Sequence, residues 1–422
     1  MSRVAVVGGG LAGVAAAQAL LRAGEEVDLY ERGGLIGVDW SLLPYLLYSG
    51  QGAPEGPSLQ VPAAQELPRR PEARLLLGHS VMEVRRSGNG YLLRHSSRGA
   101  MGEAFYERVI IATGARPRQR AEQRRHLYRA DVPEHVAEFV REREGFARVA
   151  VRGDSPPSLA AALGLRERGL DVLYIGARPL LRGHADAALA PLLEEACRAG
   201  GLRVLTPRLS FRVLGKGRVE AVQVDAEVVP CDCVLEFPSY LPETQPLEGL
   251  DLRLGPFGIT VSEAMEAGPG LWAAGRCICL EDGTRSLYSP SFSYITGHIA
   301  GLRAAGLRLA APSLEPVEAW RLGMLELAFA GSRPKGPPLA RKFLTIRPSL
   351  GEGGVRGVAL LKGGLVKRVE LLGRGALAWA RWCSPLISRG ISYEELALCE
   401  WGHVPYESSL PLLSASLSPG RP

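Results

Sequence analysis

Residues 3–31 read R-V-A-V-V-G-G-G-L-A-G-V-A-A-A-Q-A-L-L-R-A-G-E-E-V-D-L-Y-E. The opening β-branched run suits a buried parallel strand. It leads into Gly8-Gly9-Gly10-Leu11-Ala12-Gly13, then into an alanine- and leucine-rich stretch that stops at Gly24, a usual residue after a helix end. A second strand closes on Glu31, 18 residues beyond Gly13. Strand, glycine loop, helix and acid thus follow in the order of a dinucleotide-binding fingerprint. Gly8 is expected to make the tight turn, Gly10 to let backbone approach a diphosphate, and Gly13 to let helix and strand pack closely. The helix N-terminus offers free N–H groups and a partial positive charge to the phosphates. Glu31 is placed to accept hydrogen bonds from ribose hydroxyls.

The bulk composition agrees with a soluble globular chain. Of 422 residues, 46% are hydrophobic and 22% charged, enough for large cores and two or three domains. The net charge of +6 is too modest and too evenly spread to argue for nucleic acid. The basic run Arg116-Pro117-Arg118-Gln119-Arg120, followed by Arg124-Arg125, reads as a solvated loop, with an anion-binding or docking patch as the alternative. The chain runs from Met1 directly into a strand with no leader pattern, and no apolar stretch reaches bilayer length. Seven cysteines are an odd number in a chain too large for a disulfide scaffold, so a reducing cytoplasm is expected. The pairs Cys231/Cys233 and Cys277/Cys279 have C-x-C spacing, shorter than zinc sites use, and no metal is expected.

Two later segments narrow the dinucleotide. Residues 106–118, Y-E-R-V-I-I-A-T-G-A-R-P-R, form a strand ending in Ala112-Thr113-Gly114. Residues 270–279, G-L-W-A-A-G-R-C-I-C, form a strand ending in Gly275, and a helix-like stretch follows through residues 288–306. This order of motifs resembles the FAD-dependent pyridine nucleotide-disulfide oxidoreductases, and within them the coenzyme A-disulfide reductase, NADH oxidase and NADH peroxidase group. The resemblance implies an α/β chain of two Rossmann-like dinucleotide-binding domains, of three-layer ββα type, plus a C-terminal α+β dimerisation domain. It divides the chain into an FAD domain at 1–120 and 246–312, an NAD(P)H-binding-like domain at 121–245, and an interface domain at 313–422. FAD is the implied cofactor. Its implied contacts are Gly8, Gly10, Leu11, Ala12, Gly13, Glu31, Arg32, Ser41, Val81, Ala112, Thr113, Gly114, Gly275, Arg276 and Ser293.

The C-terminal part reads as three strands, near 341–349, 355–364 and 366–375, then two helices, the second opening with a Ser392/Glu395 capping box. In the resembling proteins this domain forms a homodimer. The ending His403-Val404-Pro405-Tyr406 looks like a worn form of the segment that approaches the partner's flavin. Trp379 and Trp382 read as interface or core packing.

Residues 147–175 repeat the first loop in outline: strand, turn, helix ending near Gly169, strand. In the resembling enzymes this unit binds NADH or NADPH. Gly153 is kept, but Ser155 and Ser158 stand at the second and third glycines, with Pro156 and Pro157 opening the helix. Each proline removes an N–H, and a Cβ on Ser155 crowds a diphosphate. The second strand ends in Gly176-Ala177-Arg178 where NADH selection wants an acid. Either Arg178 and Arg182 take a 2′-phosphate, favouring NADPH with Gly153 and Ser155 at the loop, or no pyridine nucleotide binds.

Two further departures bear on chemistry. Setting Leu43-Pro44-Tyr45 against the family's L-P-Y puts Ser41 at its redox-active cysteine. A serine hydroxyl stays protonated near neutral pH and cannot attack a disulfide or hold a sulfenate. Leu11 stands where the peroxidases have histidine. Arg276 replaces the aspartate that binds the ribityl chain, a loss of about 1.5–3 kcal/mol for one charged hydrogen bond. A guanidinium there can instead stabilise reduced flavin. Cys277 and Cys279 are either a redox pair beside Gly275 or small core residues. The expected activity is electron transfer from NAD(P)H through FAD to a non-thiol acceptor. The alternative is a catalytically degenerate flavin-carrying subunit that works as a structural or relay partner in a complex.

Overall fold

The computed structural model describes residues 3–38, 43–48, 60–118, 124–255, 257–281, 283, 285–286, 288–307, 315–334, 336, 338, 340–346 and 354–398. The chain divides into two compact units. The first holds Met1–Leu42, Pro54–Arg118 and Tyr240–Leu314; the second holds Leu43–Ala53, Gln119–Ser239 and Glu315–Pro422.

The first unit is built on a six-stranded sheet in the order Glu266–Gly268, Leu271–Ala273, Val109–Ile111, Val4–Val7, Val27–Glu31, Ala73–Leu77. All neighbours are parallel except the edge strand Glu266–Gly268. Strand Val4–Val7 lies at its centre, with every residue buried, as a strand covered on both faces requires. Helices Leu11–Arg22 and Pro290–Ala304 pack against each other through small residues. A Cβ added at Gly297 would lie 2.1 Å from the Ala12 carbonyl oxygen, and one at Gly301 2.4 Å from that of Ala16. The unit also holds a three-stranded antiparallel sheet, His79–Ser87, Gly90–Ser97 and Ala100–Tyr106, and two smaller sheets.

One buried acid ties this unit together. Asp28 is fully buried in the second strand, and its carboxylate accepts hydrogen bonds from Arg3 at 2.5 Å, from Tyr106 at 2.7 Å, and from Arg74. The sequence reading passed over it because an acid inside a strand normally marks an exposed face.

The second unit repeats the pattern. Five parallel strands run in the order Arg203–Leu205, Asp171–Ile175, Arg148–Arg152, Cys233–Glu236, Leu127–Arg129. Helix Pro156–Glu167 follows the central strand. The same unit carries a five-stranded antiparallel sheet ordered Val317–Leu322, Leu325–Gly331, Leu365–Gly373, Val355–Lys362, Ala340–Ile346, with helix Ala376–Ser388 packed on it. Three of these strands match the expected ones. The first two, joined by a tight turn at Gly323, were missed because E-A-W-R-L and L-E-L-A-F-A lack clean alternation. The Ser392 capping box forms as expected: Glu395 accepts from the Ser392 N–H at 2.8 Å, and the Ser392 hydroxyl accepts from the Glu395 N–H at 3.1 Å. The architecture is a mixed α/β fold with parallel sheets.

Candidate functional site

The first glycine loop takes its shape from what its missing side chains allow. Gly8 has φ +107° and receives its place from the central strands: its N–H donates to the Tyr30 carbonyl at 2.8 Å. A Cβ there would come within 2.3 Å of the Ala112 carbonyl oxygen. A Cβ at Gly13 would come within 1.8 Å of the Gly8 carbonyl oxygen, so helix and strand approach only because both positions lack side chains. Gly10 is different. It has ordinary extended backbone, and no described atom lies within 4 Å of where its Cβ would be. Gly10 caps helix Leu11–Arg22 without a side-chain hydrogen bond, and the first turn holds no acid. An open face, a bare helix N-terminus and a glycine between them are what a diphosphate needs.

Glu31 closes one side of this cradle. Its carboxylate accepts from the Gly9 N–H at 2.8 Å and from the Gly33 N–H at 2.6 Å, which fixes it at the strand end beside the loop. Leu11 is half-buried and Ala12 buried at the start of the helix, while Arg32 is exposed. Val81 packs in the core of the first unit.

The two later motifs come to the same helix. The Ala112 N–H donates to the Val7 carbonyl at 2.8 Å, and Gly114 has φ +71°. The Thr113 hydroxyl donates to the Glu243 carbonyl at 2.6 Å. Gly275, at φ +82°, sits so close to the first loop that its Cβ would lie 2.8 Å from that of Ala12 and 4.0 Å from the Ser293 hydroxyl. Its N–H donates to Thr296 at 3.0 Å, a partner the sequence did not point to. The Arg276 guanidinium lies over the Tyr240 ring, 5.7 Å from its centroid. Cys277 is fully buried, its thiol directed to the carbonyls of Ala274 at 3.2 Å and Ile111 at 3.8 Å. Burial pushes that thiol up, which suits a packed core residue and not a thiolate. Cys279 is buried in strand Ile278–Leu280, where the sequence reading had no strand.

Gly8–Gly13 and Glu31 form a cradle that could hold the diphosphate and ribose of a dinucleotide, with Gly275 and Ser293 beside it. Residues 2–297 match the pyridine nucleotide-disulphide oxidoreductase family. The chain belongs to this family. It is 25% identical over 319 residues to an NADH oxidase of Methanocaldococcus jannaschii, covering 72% of this chain and 70% of that protein. Its fold is similar to an NAD-dependent persulfide reductase from A. fulgidus, with TM-score 0.81 and 21% identity over 97% of this chain and 81% of that one. It is also similar to a water-forming NADH oxidase from Lactobacillus brevis bound to NADH, with TM-score 0.83 and 16% identity over 98% and 96% of the two chains.

The second loop of this family member differs from the first along the turn that opens its helix. Ser155 caps helix Pro156–Glu167, but its N–H donates to the Ser158 hydroxyl at 3.2 Å. The Ser158 N–H donates to the Ser155 carbonyl at 3.0 Å, and the Ser158 hydroxyl meets the buried Tyr174 hydroxyl at 3.0 Å. The Tyr174 hydroxyl also donates to the Gly153 carbonyl at 2.7 Å. Ser155, Pro156, Pro157 and Ser158 are all buried. The strand end carries no acid of its own, but a carboxylate lies beside it. It comes from Asp154 in the loop, which accepts from the Ala177 N–H. Arg178, expected to be available for a 2′-phosphate, pairs with Glu194 at 3.8 Å.

Ser41 and the ending at His403–Tyr406 lie outside the described residues. Directly after Ser41, Leu43–Tyr48 is a helix of the second unit. Its last carbonyls accept from Arg143, at 3.4 Å to both Leu46 and Leu47, and from Arg168, at 3.5 Å to Tyr48. The Tyr48 ring packs where a side chain on Gly164 would be, and burial pushes its phenol up to about 12. Among the described residues no group of three or more His, Cys, Asp or Glu could hold a metal, and no helix is long and apolar enough to cross a membrane.

Proposed function

We propose that this chain is an FAD-dependent oxidoreductase that delivers electrons to a non-thiol acceptor. The observation that carries the reading is the open face at Gly10, set between a bare helix N-terminus and a carboxylate already anchored at Glu31. The Gly8–Gly13 backbone would hold the diphosphate and Glu31 the adenosine ribose. Thr113, Gly114, Gly275, Arg276 and Ser293 would line the rest of the flavin's path. FAD, when bound, supplies a ring that accepts electrons in pairs and releases them singly or together.

Ser41 sets the acceptor class. With serine where the family has its cysteine, no thiol in this segment can attack a disulfide or be held as a sulfenate. Arg276 would place positive charge near the flavin, where it favours the anionic reduced form over the neutral oxidised one. The C-terminal sheet and its helix would form the homodimer interface, and two large apolar side chains there, Phe343 and Trp382, are each 61% exposed. The cytoplasm is the compartment that fits buried thiols such as those of Cys197, Cys231, Cys233 and Cys277.

A second reading is favoured by the buried, self-bonded turn at Ser155–Ser158: a flavin-carrying subunit supplied with electrons by a partner. Purified protein carrying the absorption bands of oxidised flavin at one flavin per chain supports both readings. Protein that stays colourless after incubation with excess FAD rejects both.

A further inference from the structure

We infer that the second dinucleotide crevice, at residues 153–178, has been closed to pyridine nucleotides, so that the flavin takes its electrons from a donor other than NADH or NADPH bound there. The inference goes beyond family membership, since the family as a whole is NAD(P)H-dependent. It rests on the flavoprotein reading only for its optical arm.

The diphosphate of a dinucleotide is held by N–H groups at the start of the helix after the first strand. In the second loop none of the four candidates is available. Pro156 and Pro157 have no N–H. The Ser155 N–H is used by the Ser158 hydroxyl, and the Ser158 N–H by the Ser155 carbonyl. In the first loop the matching stretch is Gly10-Leu11-Ala12-Gly13, with neither proline nor a capping side chain.

The two loops have exchanged the partners of one hydrogen bond. In the first, the acid is on the strand end and the N–H on the loop, Glu31 accepting from Gly9. In the second, the acid is on the loop and the N–H on the strand end, Asp154 accepting from Ala177. The Asp154 carboxylate is turned to the strand end, 3.2 Å from where a Gly176 Cβ would be, so it occupies the space beside the strand end and is already bonded to the Ala177 N–H. The strand end itself carries no acid, and Arg178 there is paired with Glu194 at 3.8 Å.

The first glycine is packed in both loops: a Cβ at Gly8 would meet the Ala112 carbonyl oxygen at 2.3 Å and one at Gly153 the Phe237 Cβ at 2.7 Å. The loops differ at the second glycine, where Gly10 faces open space and its counterpart is the buried Ser155. Each lost hydrogen bond to a charged group is worth on the order of tenfold to 150-fold in affinity. Two absent N–H groups therefore weaken binding by roughly 100-fold or more.

The test uses the full-length FAD-loaded protein. Calorimetric titration with NADH, NADPH and ADP-ribose should show no saturable binding up to about 1 mM. Anaerobic NADH or NADPH should leave the oxidised flavin bands intact, while dithionite bleaches them fully. Saturable binding in the micromolar range, or bleaching by either nucleotide with saturation kinetics, overturns the inference. Protein without flavin refutes the proposed function, yet the calorimetric arm still decides this point. The variant Pro156→Leu/Pro157→Ala restores two N–H groups and should gain ADP-ribose binding by tenfold or more, with melting checked in parallel. If that variant folds and still binds nothing, the assignment to the prolines is overturned.

Discussion

Gly297 and Ala12 meet so closely that a single methyl group between them has no room: a Cβ at Gly297 would sit 2.1 Å from the Ala12 carbonyl oxygen. This contact, with Gly301 against Ala16, fixes how helix Pro290–Ala304 lies along helix Leu11–Arg22. Both helix starts contribute to the candidate flavin site. Gly297→Ala should force the helices apart, lowering stability by about 1–3 kcal/mol, and FAD content should fall with it. Thermal melting and flavin-to-protein absorbance on the same sample check this. Unchanged melting with normal flavin would contradict the packing described.

Gly10→Ala separates cofactor binding from folding. The backbone at Gly10 suits any residue, and nothing described lies within 4 Å of the new methyl. The melting temperature of the flavin-free protein should therefore stay within about 0.5 kcal/mol equivalents of wild type. FAD affinity should fall at least tenfold, because the methyl enters the space meant for the diphosphate. Gly13→Ala, with a clash at 1.8 Å, should instead fail to fold normally.

Arg276→Asp restores the family's residue beside Gly275. It should tighten FAD binding by roughly tenfold or more, the value of one charged hydrogen bond. It should also make the flavin midpoint potential more negative. Each ~1.4 kcal/mol of lost preference for the reduced anion lowers a two-electron potential by about 30 mV. Dye-coupled anaerobic reduction measures it, and an unchanged potential would remove Arg276 from any electrostatic role.

Arg368 and Glu370 form a buried pair at 2.8 Å, with Glu370 fully buried and also accepting from the Asp186 N–H at 2.7 Å. Arg368 further donates to the carbonyls of Gly331 and His184. Removing one partner leaves an uncompensated charge in the interior. Arg368→Met should cost about 3–5 kcal/mol, read by chemical denaturation. Replacing both residues with apolar ones should cost much less.

Glu25 supplies a pH dependence. The hydrogen bond from Arg108, at 2.8 Å, holds its carboxyl below the ordinary range despite partial burial. Its folded pKa lies below the unfolded one. Ionised Glu25 therefore contributes stability that is fully present above a pH of about 4.3 and fades as pH falls through the folded value. Glu25→Gln should flatten the acid side of the melting-temperature profile and lower the plateau near neutrality. An identical acid limb in both proteins would show that Glu25 is not involved.

The first crevice was legible in the sequence because its function depends on missing side chains, and glycines at fixed spacing announce themselves. Gly8 and Gly13 sit where a Cβ would meet backbone, and Gly10 faces open space. What could not be read was the set of polar partners from distant segments. Thr296 holds the Gly275 N–H, and Asp28 gathers Arg3, Arg74 and Tyr106, because strand order brings together residues far apart in the chain. Asp154 was missed for a related reason. Sequence templates look for the acid on the strand end, and here the carboxylate that bonds the strand-end N–H of Ala177 comes from the loop.

The adjacent prolines at 156 and 157 have an evolutionary corollary. A side chain that blocks a crevice can be displaced by a rotamer change or removed by one codon. An amide hydrogen absent from the covalent backbone cannot be supplied by any rearrangement, and two neighbouring positions must revert before the helix tip regains its donors. On the inference drawn above, no side-chain movement restores the missing donors; only substitution of the prolines does.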